Sequence, residues 1–130
     1  MPRRDAPRPT DAELEILNVL WQRGACTVRD VHHAISRTKP ATGYTTVLKT
    51  MQIMAEKGLV RRDESQRAHV YEARLAREQT QRQLIGDLLE RAFDGSASKL
   101  VMQALSAKNA SAEELSSIRE MLDEYERGES

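Results

Sequence analysis

The hydrophobic period of this chain changes at Gly58. Before it, apolar residues recur every three or four positions. After it, "GLVRRDESQRAHVYEA" reads as two short strands, Leu59–Arg62 and His69–Ala73, around a polar turn. Periods of 3.6 and 2 belong to different elements, so the chain has to fold as a helical block, a hairpin and, from about Ala76, a second helical block.

The first block carries its own punctuation. Thr10-Asp11-Ala12-Glu13 is a capping box, Leu14, Leu17, Leu20 and Trp21 follow with helical spacing, and Gly24 ends the helix. Thr27 caps a second helix with Asp30 three residues on. Cys26 and Val31 flank that cap as a hydrophobic staple, and Val28, Val31, Ala34 and Ile35 form the buried stripe. Lys39-Pro40 breaks the chain. Thr42 is expected to cap the third helix and Gly58 to close it, with Leu59 placed for a Schellman contact. Three short helices and a basic hairpin make a winged helix-turn-helix.

In the second block, Leu84, Ile85, Leu88, Leu89, Ala92 and Phe93 share one face, stopped by Asp94-Gly95. Leu100, Val101, Ala104 and Leu105 mark a shorter helix. Ser111 and Glu114 suggest another capping box, and Leu115, Ile118, Leu122 and Tyr125 follow at 3-4-3 spacing, a coiled-coil-like seam. About 55 residues in short helices bury little alone, so these stripes suit self-association. The fold class is mostly α: a flexible N-terminal arm over residues 1–9, a winged helix-turn-helix over 10–75, and a C-terminal three-helix dimerisation domain over 76–130.

The net charge of zero hides an asymmetry. Residues 1–75 hold 13 Lys/Arg against 9 Asp/Glu, net +4; residues 76–130 hold 7 against 11, net −4. A basic half suggests a polyanionic partner for that half only. No apolar run approaches membrane-spanning length, and the N-terminus lacks the apolar stretch of a signal peptide. One cysteine allows no intrachain disulfide, which fits a reducing cytoplasm.

The third helix carries the chemistry. In "ATGYTTVLKTM", Tyr44, Val47, Leu48 and Met51 join Met54 and Ala55 on one face, and Thr42, Thr45, Thr46, Lys49 and Ile53 project from the opposite one. Threonines are poor helix formers, and carboxylates, which would stabilise the positive end of the helix, are missing there. Both choices make sense if the face meets DNA. Recognition helices put their N-terminal residues against base edges; Thr methyls touch thymine methyls, hydroxyls bond bases or phosphates, and Lys reaches guanine or phosphate. The candidate DNA-binding residues are therefore Thr42, Gly43, Tyr44, Thr45, Thr46, Lys49 and Thr50, with Arg61, Arg62, Arg67 and His69 of the hairpin as wing contacts. The bland alternative is a solvated Thr-rich face beside an ordinary charged edge hairpin.

Cys26, His32, His33 and His69 raise the question of a metal. Adjacent helical histidines point about 100° apart and no Cys-x-x-Cys exists, so no metal or other cofactor is expected, and Cys26 reads as a small core residue. Ser96-Ala97-Ser98-Lys99 matches the Ser-x-x-Lys nucleophile motif, but its companion motifs are missing and a helix start accounts for it. The chain is not expected to be an enzyme.

With these residues in place, the chain resembles the penicillinase-repressor family of winged-helix regulators, the BlaI/MecI/CopY group, over residues 9 to 125. The resemblance rests on "PTDAELEILNVLW", "GYTTVLKTMQIMAEKGLV", "RAHVYEA" and "KLVMQAL…SAEELSSIREML". It implies a cytoplasmic homodimer whose winged helices bind an inverted-repeat (palindromic) double-stranded DNA operator and whose C-terminal helices interlock, through Leu84, Leu88, Leu100, Leu105, Leu115, Ile118, Leu122 and Tyr125 here. It also implies inactivation by a protease linked to a membrane sensor, cutting in the middle C-terminal helix. The matching positions are Met102, Gln103 and Ala104; Gln103-Ala104 stands where the best-known members have Asn-Phe. The Cys-x-Cys pairs of the copper-responsive branch are missing. The competing function is a winged-helix protein-interaction module without specific DNA binding, which a shallow dependence of affinity on salt would reveal.

Overall fold

The structure is a computed structural model that describes residues 7–128; residues 1–6 of the expected arm lie outside the described residues. The elements are α1 (Asp11–Arg23), β1 (Cys26–Thr27), α2 (Val28–Ser36), α3 (Tyr44–Lys57), β2 (Val60–Asp63), β3 (Val70–Ala73), α4 (Arg77–Ala92), α5 (Ala97–Ala107) and α6 (Ala112–Glu126).

The local signals of the first block are formed in three dimensions. The Thr10 hydroxyl accepts the Glu13 N–H at 3.2 Å, and the Glu13 carboxylate accepts the Thr10 N–H at 2.9 Å. Thr27 and Asp30 do the same for α2, both at 3.2 Å, with Cys26 and Val31 buried on either side. At the end of α3, Gly58 adopts φ +88°, a left-handed conformation that favours glycine. Its N–H donates to the Ala55 carbonyl at 3.3 Å and that of Leu59 to Met54 at 2.9 Å, the bond pair of a Schellman motif.

Three details differ from the sequence reading. Thr42 does not cap α3: the N-cap is Gly43, with no side-chain cap. The Thr42 backbone is committed to the turn, its N–H donating to the Lys39 carbonyl at 3.0 Å and its carbonyl lying 2.9 Å from His32 Nε2. The first strand starts at Val60 rather than Leu59, because the Leu59 N–H is spent on the Schellman bond, and the second starts at Val70 rather than His69. A third strand also appears. Cys26 and Thr27 pair antiparallel with Tyr71 and Val70, giving the order β1-β3-β2. Two residues are too short a run for any period to show.

The core joins Ile16, Leu17 and Leu20 of α1 and Val31 of α2 to Val47, Met51 and Met54 of α3, with Tyr71 from the sheet. Two polar ties brace it. The Trp21 indole N–H donates to the Leu75 carbonyl at 2.9 Å. The buried Glu13 accepts from the Lys57 ammonium at 2.8 and 3.1 Å, joining the start of α1 to the end of α3.

The chain divides into two compact units, one up to Ile85 and one from Gly86, with the division inside α4. In the second unit no described residue is buried. Val101, Met102, Met121, Leu122 and Tyr125 are all well exposed. Ser96 caps α5 by accepting the Lys99 N–H at 3.2 Å, which gives Ser-x-x-Lys a structural role. Ser111 accepts the Glu114 N–H at 3.0 Å without the reciprocal bond, so only half of the expected capping box forms.

Candidate nucleic-acid interface

α3 has three working sides. Val47, Met51 and Met54 face the core. Thr45, Thr46, Lys49 and Ile53 are exposed on the opposite side, and Thr42 is half-buried in the preceding turn. Tyr44, Leu48 and Gln52, spaced one turn apart, form a third stripe that faces the hairpin. Tyr44, expected with the core residues, is 46% exposed because it sits at the first helical position, on the edge of the packed face.

The start of α3 is chemically open. Its first turn holds no acidic residue, and the Gly43 N-cap supplies no side chain to its free N–H groups. Gly43 has ordinary extended φ and ψ, and a Cβ there would meet nothing within 4 Å. Glycine is thus not demanded by the fold at this position, and the bare N-terminus is left clear for a close approach. Thr45 and Thr46 present their hydroxyls to solvent. Thr50 differs: its hydroxyl donates to the Thr46 carbonyl at 2.8 Å, so the helix already uses that proton.

His32 positions this end of the helix. Its Nε2–H donates to the Thr42 carbonyl, and its ring meets Tyr44 edge-on, centroids 5.8 Å apart. The sequence raised His32 only as a possible metal ligand. Among the described residues no three His, Cys, Asp or Glu side chains are grouped to hold an ion. Cys26 is buried; desolvation, then the negative charge of Asp30, raise its thiol pKa, the environment of an unreactive core thiol.

The hairpin carries Arg61, Arg62, Arg67 and His69, all exposed, on β2 and the turn that follows. Arg61 pairs with Glu72 across the strands at 3.4 Å, and Arg62 with Glu64 at 2.6 Å. A hydrogen bond to Tyr71, then the Glu64 charge, raise the Arg62 pKa further, so it stays cationic. Among the described residues Arg67 makes no ion pair, which leaves it the wing guanidinium with least to give up on meeting a phosphate.

Arg29 was not singled out from the sequence, yet it shares the wall of the α3–hairpin groove with Arg67 and His69. The signal was present: a cation in the first turn of a helix opposes the macrodipole, a local conflict of the kind found at functional positions.

Comparison with known proteins follows the same lines. The penicillinase repressor family profile matches residues 9–124. The transcriptional regulator BlaI of Mycobacterium tuberculosis (strain CDC 1551 / Oshkosh) is 34% identical over 119 residues, 91% of this chain and 85% of that one. The penicillinase repressor of Bacillus licheniformis is 25% identical over 122 residues, 92% of each chain. Among solved structures, the solution structure of the DNA-binding domain of the repressor BlaI aligns with a TM-score of 0.50 and 23% identity, covering 58% of this chain and 90% of that one; the likeness is one of fold, and it is the winged helix-turn-helix. Matched over nearly its whole length, this chain belongs to the penicillinase repressor family.

Proposed function

We propose that the protein is a DNA-binding transcriptional repressor that acts as a homodimer on an inverted-repeat operator. The observation that carries this reading is the start of α3: uncapped, free of carboxylates, and presenting Thr45, Thr46 and Lys49 to solvent beside an arginine-bearing wing. Bases are read by Thr45, Thr46 and Lys49, with Thr42, Gly43, Tyr44 and Thr50 framing them. Backbone phosphates fall to Arg67 first, then to Arg61, Arg62 and His69.

The second copy is supported by the unit from Gly86. Two whole helices and the end of α4, with no buried residue among them, cannot hold themselves together by hydrophobic burial. A two-fold partner that covers Leu100, Leu105, Leu115, Ile118, Leu122 and Tyr125, with Leu84 and Leu88 of α4, supplies the missing half of a core. Proteolysis fits this arrangement. Met102, Gln103 and Ala104 are exposed in the middle of α5, and a cut there by a protease linked to a membrane sensor would release α6 with most of the seam. The reading places the protein in the cytoplasm; among the described residues no helix is long and apolar enough to cross a membrane.

The test starts from DNA fragments selected by the purified chain, sequenced to define an operator, with affinity then followed by fluorescence anisotropy. Thr46→Ala should weaken operator binding by about 1–3 kcal/mol and leave non-specific binding nearly unchanged. Affinity should fall steeply with salt, with a log–log slope of about 0.9 per phosphate contacted. An unchanged operator affinity for Thr46→Ala would show that α3 does not read the bases.

A further inference from the structure

Between the Tyr44, Leu48, Gln52 stripe and the hairpin lies a groove of about 570 Å³, with the first turn of α2 as its third wall. It lies around α3 from Thr46 and Lys49, with Thr45 at its edge. Its walls are of two kinds. Val28, Leu48 and the ring of Tyr44 are apolar; Arg29, Arg67 and His69 are polar. Among the described residues these three polar side chains make no hydrogen bond or ion pair, whereas Arg62, in the same groove, is already engaged by Glu64.

We propose that this groove binds a small organic anion with an apolar body, of the aryl carboxylate or aryl phosphate class. Its volume lies within the range of small-molecule sites, roughly 300–1,000 Å³, which combine apolar walls with a few polar groups. Arg29 and Arg67 present planar forks suited to the oxygens of a carboxylate or phosphate, and His69 adds an imidazole. A bare inorganic anion would fill a fraction of the space and leave the half-buried Leu48 and the exposed Tyr44 ring in contact with water. An aromatic body covers them and gains from their burial. The occupant separates the hairpin from α3, so it also sets the spacing of the two elements that the repressor reading brings to DNA; the binding site itself does not rest on that reading.

The experiment is an amide NMR titration of the full-length protein with 1-naphthoate, run in parallel with inorganic phosphate. The expected result is saturable movement of the Arg29, Leu48, Gln52 and Ala68 signals with 1-naphthoate, at an affinity at least tenfold above that for phosphate. The double variant Arg29→Ala, Arg67→Ala should keep a dispersed spectrum and lose at least tenfold in 1-naphthoate affinity. A naphthoate response confined to α5 and α6, or no saturable response, overturns the proposal. So does phosphate binding as tightly as 1-naphthoate, which would make the groove a simple anion site. Titration with operator DNA, read at Thr45, Thr46 and Lys49, reports on the repressor reading separately, so the two can fail independently.

Discussion

Glu13 does two jobs with one carboxylate. It closes the capping box of α1 and it accepts the Lys57 ammonium from the far end of α3. Burial alone would raise its pKa; the Lys57 ammonium and the Thr10 backbone N–H outweigh that, and the net shift is downward. A carboxylate with a depressed folded pKa stabilises the fold above its unfolded pKa, and this contribution is lost as pH falls through the folded value. Glu13→Gln should therefore cost about 1–3 kcal/mol in urea unfolding at pH 7, less than a fully buried pair because Lys57 is one-third exposed. The gap to wild type should narrow below about pH 4; a gap independent of pH would show that packing, not charge, makes the residue matter. The sequence disclosed half of this. The cap is an i, i+3 relation and can be read locally, whereas Lys57 lies 44 positions away and nothing local marks it as the partner. His32 escapes a sequence reading for the same reason, since its bond to the Thr42 carbonyl exists only once α2 and the turn have packed.

At the scale of elements, the helices and the hairpin were legible because their periods and punctuation agree, and the errors fall where tertiary contacts displace a local preference. Thr42 is a good cap residue by type, but its backbone is held in the turn, and α3 starts one residue later on a glycine. The face of α3 that would meet DNA was legible from its period; the stripe that faces the hairpin was not, because it depends on where the wing packs. The open start of α3 leads to a prediction that separates stability from function. Gly43 has φ −83° and ψ 157°, which any N-cap residue can adopt. In Gly43→Asp the new carboxylate accepts first-turn N–H groups and complements the macrodipole, so the unfolding midpoint in urea should rise, by about 0.3–1 kcal/mol of stability. The same charge faces the DNA phosphates, and operator affinity by anisotropy should fall at least about tenfold. A variant that is more stable and binds DNA as well as wild type would remove the start of α3 from the interface.

At the scale of the whole molecule, the sequence splits charge and burial between its halves. The basic half, residues 1–75, contains the apolar core, and among the described residues the acidic half contains helices with no buried apolar residue. If one half binds DNA and the other pairs chains, affinity depends on both. A single winged helix reads one half-site; joining two makes the second contact intramolecular and raises overall affinity by about 10²–10⁴. Leu122 tests this coupling because it is 58% exposed in the single chain and far in sequence from every DNA-facing candidate. Leu122→Asp adds no strain within one chain, but in a paired seam it buries an uncompensated charge. The variant should be monomeric by sedimentation, keep a folded N-terminal half, and bind a full palindrome at least about 100-fold more weakly at nanomolar concentration. Its affinity for an isolated half-site should match that of wild type. Binding to the palindrome should recover in part at high protein concentration, where two monomers can occupy adjacent half-sites. A dimeric Leu122→Asp would place the seam elsewhere than α6. A monomer that binds the palindrome as tightly as wild type would show that the affinity resides in one winged helix, and that the exposed helices from Gly86 onward serve another partner.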